Sequence, residues 1–387
     1  LGGIKKVSYL LDVITTCLYA MASYEEQIKA IEEEIRKTPY NKATQHHIGR
    51  LKAKIARLKE EAEKRAQASG GPKAGYSIKK GGDATVVLVG FPSVGKSTLL
   101  NQLTNAESEV GSYDFTTLKV IPGMMEHKGA MIQVLDVPGI VHGAASGKGR
   151  GREVIGVMRS ADLVLFVIDV FNLKQYDVLK TELYNAGLRL DTRPKDIKIK
   201  KKARGGLTIS STVELKAIDE KTVKAILHEY RIHNADVVFR EDATPDDFLD
   251  VITGNRIYVP SVIALNKVDL VKEDYLAQVK EQLPPEFIPI SAHRGTNLER
   301  LKEVIFEKLD FIRVYMKPQG EKADLEEPMV VMRGSTVGDI CDRLHRDFRR
   351  NFRYARVWGD SVKFAGQRAG MGHVLMDGDI VSIVIKK

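Results

Sequence analysis

The sequence predicts an α/β protein: a mostly parallel sheet with helices on both faces, with further modules before, inside and after it. Three observations predict this. Short apolar, β-branched runs at Ala84–Val89, Met131–Leu135, Leu163–Ile168 and Val262–Leu265 alternate with helical stretches, as strands buried on both faces do. The glycine-bearing turn from Gly90 to Ser97 joins the first of these strands to a helix. The regions flanking this alternation follow patterns of their own.

Length and composition bound the class. At about 150 residues per domain, 387 residues suggest two to three domains. With 43% apolar and 29% charged residues, the chain can build a core, and wholesale disorder is excluded. Sixty Lys and Arg against 51 Asp and Glu leave a net charge of +9, a modest excess that points toward a polyanionic partner. The two cysteines, Cys17 and Cys341, make neither a disulfide framework nor a metal spacing, which predicts a reducing, cytoplasmic compartment. No apolar run reaches the ~18 residues of a membrane span. The closing Val384-Ile385-Lys386-Lys387 holds no cysteine for lipidation, so no membrane association is expected.

Residues 1–20 are read as a non-native or extra N-terminal segment. Lys5-Lys6 followed by Val7 to Ala20 has the outline of a signal peptide, but Asp12 interrupts it, and Met21-Ala22-Ser23 opens a well-patterned helix. Residues 21–82 read as a helical hairpin and linker. Ile28, Ile31 and Ile35, then Ile48, Leu51, Ile55 and Leu58, fall at helical spacing. Thr38-Pro39-Tyr40-Asn41 breaks the run between them. A hairpin this short buries little alone and must lean on something. Ser69-Gly70-Gly71-Pro72 and Gly81-Gly82 bracket the linker.

Residues 83–311 hold the α/β domain. Nearly a hundred residues lie between Asp169 and Asn266, about 60 more than the alternation requires. An inserted α+β subdomain is therefore expected at about 175–240. It carries a basic run (Lys195, Lys198, Lys200, Lys201, Lys202, Arg204) and helical stretches near Glu220–Tyr230 and Pro245–Ile252. Residues 312–387 read as a ββαββ, ubiquitin-like β-grasp module. Its strands are expected at Ile312–Met316, Met329–Val331, Tyr354–Val357 and Ile380–Ile385. Its helix is expected from Thr336 to Phe348, with Thr336 near the N-cap and Asp339 at the third position.

Gly90-Phe91-Pro92-Ser93-Val94-Gly95-Lys96-Ser97 matches G-x-x-x-x-G-K-[ST] in full, between a strand and a helix that opens Thr98-Leu99-Leu100. Its glycines let backbone N–H groups turn toward phosphate oxygens, and the helix N-terminus adds its dipole. Lys96 can reach the β- and γ-phosphates and Ser97 can hold Mg²⁺. Asp136-Val137-Pro138-Gly139 follows at a strand end, 40 residues past Lys96. Asp136 can bind the metal there, and the Gly139 amide can approach a γ-phosphate. Asn266-Lys267-Val268-Asp269 ends another strand. The Asp269 carboxylate can accept from both donors of guanine, N1–H and the exocyclic amine, a pair adenine lacks. Asn266 would brace the phosphate loop, and the Lys267 stem would cover the base. In Ser291-Ala292-His293, the Ala292 amide would donate to guanine O6. The nucleotide is therefore GTP rather than ATP, and the constellation is that of a P-loop GTPase.

In Asp114-Phe115-Thr116-Thr117-Leu118, Thr117 is favoured over Thr116 to complete the Mg²⁺ shell in a switch segment. The chain departs from the Ras pattern at Ile140, the position after Gly139, where a glutamine could orient water. A slow intrinsic rate follows, or help from a monovalent cation, a partner residue or a switch movement. His142 is nearby but reads as a solvent-facing histidine. Gly143 to Glu153 is glycine-rich, with Arg150 and Arg152 available to phosphate or RNA.

With these motifs in place, the chain from Met21 to Lys387 resembles the developmentally regulated GTP-binding proteins (DRG), in the Obg-like branch of translation-factor-class GTPases. The resemblance is carried most specifically by Asn41-Lys42-Ala43-Thr44-Gln45-His46-His47, Gly90 to Leu100, Asp114 to Leu118, Gly147 to Arg152 and His233-Asn234-Ala235-Asp236-Val237. It implies an S5D2-like insertion and a C-terminal TGS domain. It implies GTP hydrolysis to GDP with Mg²⁺, in which Lys96, Thr117 and Gly139 take part. The implied partners are the ribosome, through rRNA or tRNA, and a small DRG-family partner protein. Many Obg-like GTPases use K⁺ held partly by a P-loop asparagine; Ser93 stands at that position here. The arginines Arg343, Arg346, Arg349, Arg350, Arg353 and Arg356, with the Lys195–Arg204 run, are candidate phosphate contacts. The competing expectation is an interaction scaffold with structural GTP and negligible turnover.

Overall fold

A computed structural model describes residues 24–39, 41, 44–68, 81–104, 113–115, 118–137, 156–279, 282–318, 320–326, 328–386. Residues 1–20 lie outside these. The chain divides into two compact units, one formed by 24–68 with 193–256, the other by 81–192 with 257–386.

In the first unit, helices over 24–37 and Gln45–Ala68 form the expected hairpin. Between them Asn41 Oδ1 accepts from Thr44 N at 3.0 Å, and Thr44 Oγ1 donates to Pro39 O at 2.6 Å. Ile31, Leu51 and Leu58 form the small seam between the two helices. The hairpin leans on the insertion. Ala53 is fully buried in the insertion's core with Val223 and Ile226. A Cβ on Gly49 would lie 2.7 Å from Thr222 Cγ2, so glycine is what lets the helices approach. Lys52 pairs with Asp246 at 2.6 Å and Arg57 with Glu229 at 3.0 Å.

The insertion spans 193–256 rather than about 175–240. The helix Gln175–Asn185 and the strand Leu188–Leu190 belong to the second unit, because Leu179, Leu183 and Leu188 pack into its core. The basic run is largely a strand. Ile197–Lys201 pairs antiparallel with Ala235–Phe239, which pairs parallel with Leu207–Ser211. Ile197 and Ile199 face the core, so Lys198 and Lys200 point the other way. The helices Glu220–Glu229 and Pro245–Thr253 complete it, the latter opened by a capping box between Thr244 and Asp247.

The second unit holds a seven-stranded sheet in the order 287–289, 261–266, 163–169, 84–89, 130–136, 118–127, 113–115. The first five strands are mutually parallel; the last two are added antiparallel. Every residue of Ala84–Val89 is buried. Val87 and Val89 face one core with Phe166, Ile168 and Leu179; Val86 and Leu88 face the other with Leu99, Leu103 and Leu301.

The C-terminal module is a five-stranded sheet in the order 329–332, 311–316, 380–385, 352–358, 367–369, covered by the helix Val337–Leu344. Thr336 and Asp339 form the expected capping box. The helix expected to reach Phe348 stops at Leu344. His345 is extended (φ −172°), and its side chain caps a separate turn, Arg346–Arg350. Arg343 pairs with Asp83 of the sheet domain and also donates to Val330 O at 2.8 Å.

Candidate nucleotide-binding site

Strands 84–89, 130–136, 163–169, 261–266 and 287–289 run parallel, so Gly90, Asp136, Asp169, Asn266 and Ser291 fall at one edge of the sheet. Ligands of open α/β sheets bind at this carboxyl edge.

Two positions of the Gly90–Ser97 turn leave no room for a side chain. A Cβ on Gly90 would lie 2.5 Å from Val167 O. Ser93 (φ 64°) and Gly95 (φ 96°) adopt left-handed conformations. At Gly95 a Cβ would come within 2.4 Å of Asn266 Nδ2. No side chain caps the helix that begins at Lys96, so its first N–H groups are available to an anion. Lys96 Nζ donates to Gly90 O at 3.0 Å and Phe91 O at 2.9 Å. Burial pushes its pKa down, while the Asp136 carboxylate pulls it up. Pro92, Ser93, Ser97 and Thr98 are exposed, and Val94 is buried beneath them.

Ser97 Oγ donates to Asp136 Oδ2 at 2.9 Å. Asp136 is only 5% exposed, and its Oδ1 is buried without a hydrogen-bond partner among the described residues. A carboxylate oxygen with unfilled lone pairs beside a hydroxyl suits a hard, oxygen-seeking cation such as Mg²⁺. Among the described residues no group of three His, Cys, Asp or Glu side chains could hold a metal.

Asn266 is 3% exposed. Its Nδ2 donates to Val94 O at 2.8 Å, and its Oδ1 accepts from Ala292 N at 2.9 Å. One carboxamide thus ties the phosphate loop to the Ser291-Ala292-His293 loop. The Ala292 amide, expected to meet guanine O6, is engaged by Asn266, so the base oxygen and the carboxamide would share it. Lys267 is left-handed (φ 68°), and its Nζ pairs with Asp169 Oδ2 at 2.6 Å. The motif reading missed Asp169. The available signal was an acid ending a neighbouring strand, in register with Asn266. Asp269 lies in the turn Val268–Leu270. A hydrogen bond from Ser291 holds its carboxyl below the usual range, against desolvation, with help from the charges of Arg294 and His293. His293 is exposed. Thr116, Thr117, Gly139, Ile140, His142 and the stretch 143–153 lie outside the described residues.

The chain matches three family descriptions in succession: 50S ribosome-binding GTPase over residues 85–201, the C-terminal region of that domain over 204–311, and the TGS domain over 312–385. A GTP-binding protein of Methanocaldococcus jannaschii is 59% identical over 366 residues, 94% of this chain and 93% of its own. Developmentally-regulated G-protein 3 of Arabidopsis thaliana is 46% identical, covering 95% of this chain and 100% of its own. Developmentally-regulated GTP-binding protein 1 of Xenopus laevis is 45% identical, covering 93% and 98%. The chain belongs to the developmentally regulated GTP-binding protein family. This DRG protein is a GTP-binding protein with the P-loop GTPase fold, and its β-grasp module is a TGS domain. P-loop GTPases of this kind generally work with Mg²⁺. Among solved structures, the Schizosaccharomyces pombe YchF GTPase aligns at a TM-score of 0.46 and 14% identity, over 79% of this chain and 99% of its own. No helix among the described residues is long and apolar enough to cross a membrane.

Proposed function

We propose that this DRG protein hydrolyses GTP to GDP and phosphate, with Mg²⁺, and acts in the cytoplasm as a nucleotide-switched regulator on the ribosome. The observation that carries the catalytic part is the buried Asp136, whose Oδ2 accepts from Ser97 while its Oδ1 has no partner among the described residues.

In this reading Ser97 and Asp136 hold Mg²⁺, with Thr117 completing the site once a γ-phosphate is present. Held by these residues, Mg²⁺ would supply positive charge to the nucleotide's phosphates. Lys96 leaves the carbonyls of Gly90 and Phe91 for the β- and γ-phosphates. Its N–H donors and the backbone N–H groups of Ser93–Thr98 would then stabilise charge as the γ-phosphoryl group transfers. Asp269 accepts from the guanine edge, and the Lys267 stem, held by Asp169, covers the base. The Gly139 amide meets the γ-phosphate. Water attacks the γ-phosphorus in line, the bond to the β-phosphate oxygen breaks, and GDP leaves. Ile140 has no group to orient that water. A monovalent cation such as K⁺, a partner residue or a switch movement must do so, and turnover by the chain alone is slow.

The ribosomal part is supported by the charge excess and by the family description matched over residues 85–201. rRNA or tRNA would be the contacted polyanion, and a small DRG-family protein a further partner. Of the six arginines singled out in the TGS domain, Arg343 is engaged by Asp83 and Arg349 by Asp342. Arg346, Arg350, Arg353 and Arg356 have no carboxylate partner among the described residues.

Steady-state GTP hydrolysis tests the reading, in Na⁺ or K⁺, with and without purified ribosomes, beside Lys96→Ala. Turnover that rises with K⁺ or ribosomes and disappears in Lys96→Ala is expected. No turnover in any condition would favour a scaffold with structural GTP.

A further inference from the structure

We propose that the open end of the TGS sheet, the face turned away from its helix, binds single-stranded RNA by stacking bases on Tyr354 and Trp358 between arginines. This rests on the RNA-associated reading above and gives it a surface.

Strand alternation sorts the residues. Ala355, Val357, Val381 and Ile383 face the helix and are buried in the module's core. Tyr354, Arg356 and Trp358 therefore project from the opposite face. Arg368 joins them, because it pairs directly with Arg356 across the strands. One end of this outer face is closed. Phe311, Val330 and Met332 share it by register and pack into the core of the G domain. The other end is open: Arg356 and Arg368 are exposed, and Tyr354 and Trp358 are half-buried.

The open end is chemically specific. Arg368 lies over the Tyr354 ring at 4.6 Å from its centroid, and Lys317 over the Trp358 ring at 5.0 Å. Each flat ring thus carries a cation over it. Arg356, between the two rings in sequence, and Arg368 have no carboxylate partner among the described residues. Tyr354 and Trp358 lie about 13 Å apart along the strand, with Arg356 at the midpoint. Rings separated by a cation match a chain of bases separated by phosphates. An acidic peptide would satisfy the arginines but would leave the rings unused. A duplex hides its base faces and would meet the charges only.

The sequence contains one tryptophan, Trp358, so fluorescence excited selectively at tryptophan, and not at the 13 tyrosines, reports on this face. The full chain is titrated with a 12-nucleotide single-stranded RNA, with the same sequence as a duplex, and with polyglutamate, while fluorescent-GDP binding is recorded as the folding control. Quenching by the single strand, with weak quenching by duplex and none by polyglutamate, is expected. Tyr354→Ala should weaken single-strand binding roughly 5- to 100-fold. Arg356→Gln with Arg368→Gln should lower the salt slope by about 1.4, the value for two phosphate contacts on a single strand. Both variants should bind GDP as the native chain does. Equal quenching by duplex or polyglutamate, or RNA binding that leaves Trp358 emission and the Tyr354→Ala affinity unchanged, would overturn the proposal. If ribosome co-sedimentation persists in that case, this face falls and the ribosomal reading stands; if co-sedimentation is absent as well, both fall.

Discussion

Asn266 carries more of the site than its place in a four-residue motif suggests. Asn266→Ala removes two internal hydrogen bonds, to Val94 O at 2.8 Å and from Ala292 N at 2.9 Å. Val94 and Ala292 are each 1% exposed, so both stranded backbone groups stay buried. A buried group left without its partner costs about 1–3 kcal/mol, which puts the pair at about 2–6 kcal/mol. Water entering the vacated volume offsets part of this, leaving about 2–4 kcal/mol. The loss divides between stability and binding, because the same carboxamide holds the phosphate loop and the base loop. Taken wholly as affinity it corresponds to roughly 30- to 700-fold. The assay pairs the urea midpoint, followed by circular dichroism, with the dissociation constant of a fluorescent GDP, and sums the two free-energy losses. Gly95→Ala should produce a similar pattern by a second route, since its Cβ would sit 2.4 Å from Asn266 Nδ2 at a φ of 96°. An Asn266→Ala protein with an unchanged urea midpoint and unchanged GDP affinity would refute the bracing argument.

Other outcomes follow from the same geometry. Asp136→Asn should uncouple the nucleotide from the metal: chelation should speed GDP release at least about tenfold in the native protein and scarcely at all in the variant. Asp169→Asn frees Lys267 and should weaken GDP about 3- to 10-fold while leaving guanine selectivity intact, measured against ADP and XDP. Asp269 has a depressed folded-state pKa, so its contribution is present above the usual carboxylate value and is lost only as pH falls through the lower folded value. GDP affinity of the native protein should therefore persist below the pH at which an ordinary aspartate protonates, whereas Ser291→Ala, which removes the main cause of the depression, should begin to lose it at higher pH. Arg343→Ala leaves Asp83, whose side chain is 8% exposed, without its counter-ion. Discounted for the partly exposed arginine, the cost is about 1–3 kcal/mol, seen as a thermal midpoint lowered by about 3–10 °C.

The parts of the candidate site that can be read from sequence are those written contiguously. Gly90–Ser97, Asp136, Asn266–Asp269 and Ser291–His293 each follow an apolar strand, so their place at one sheet edge follows from the α/β pattern itself. The Asp169–Lys267 pair was not legible, because 97 intervening positions separate two residues that only strand pairing brings side by side. The insertion boundary was placed early for a related reason. An amphipathic helix such as Gln175–Asn185 announces that it has a core, not which core. Ile197 and Ile199 alternate with Lys198 and Lys200 in a strand pattern, but the density of lysines masked it as a charge run. His345 ended a helix that propensity would have carried to Phe348, and nothing in its immediate sequence marks that turn.

The root of the insertion has a consequence for how such a chain could be assembled. The chain leaves the G domain after Leu188–Leu190 and re-enters on Ile257–Val259, two strands lying parallel in register. Asp191 then receives Ser261 N at 2.7 Å and the Ser261 hydroxyl. The exit and the return are thus fastened to each other by the host, not by the guest. A segment spliced in at such a seam can be lengthened or exchanged without unpicking the paired strands that flank it, provided its replacement still buries the hairpin face around Gly49 and Ala53. Whatever replaces it must still supply the crossover of about a dozen residues or more that two parallel neighbours need. The 193–256 cassette is in that sense a graft, and the nucleotide-binding domain that carries it is a self-sealing stock.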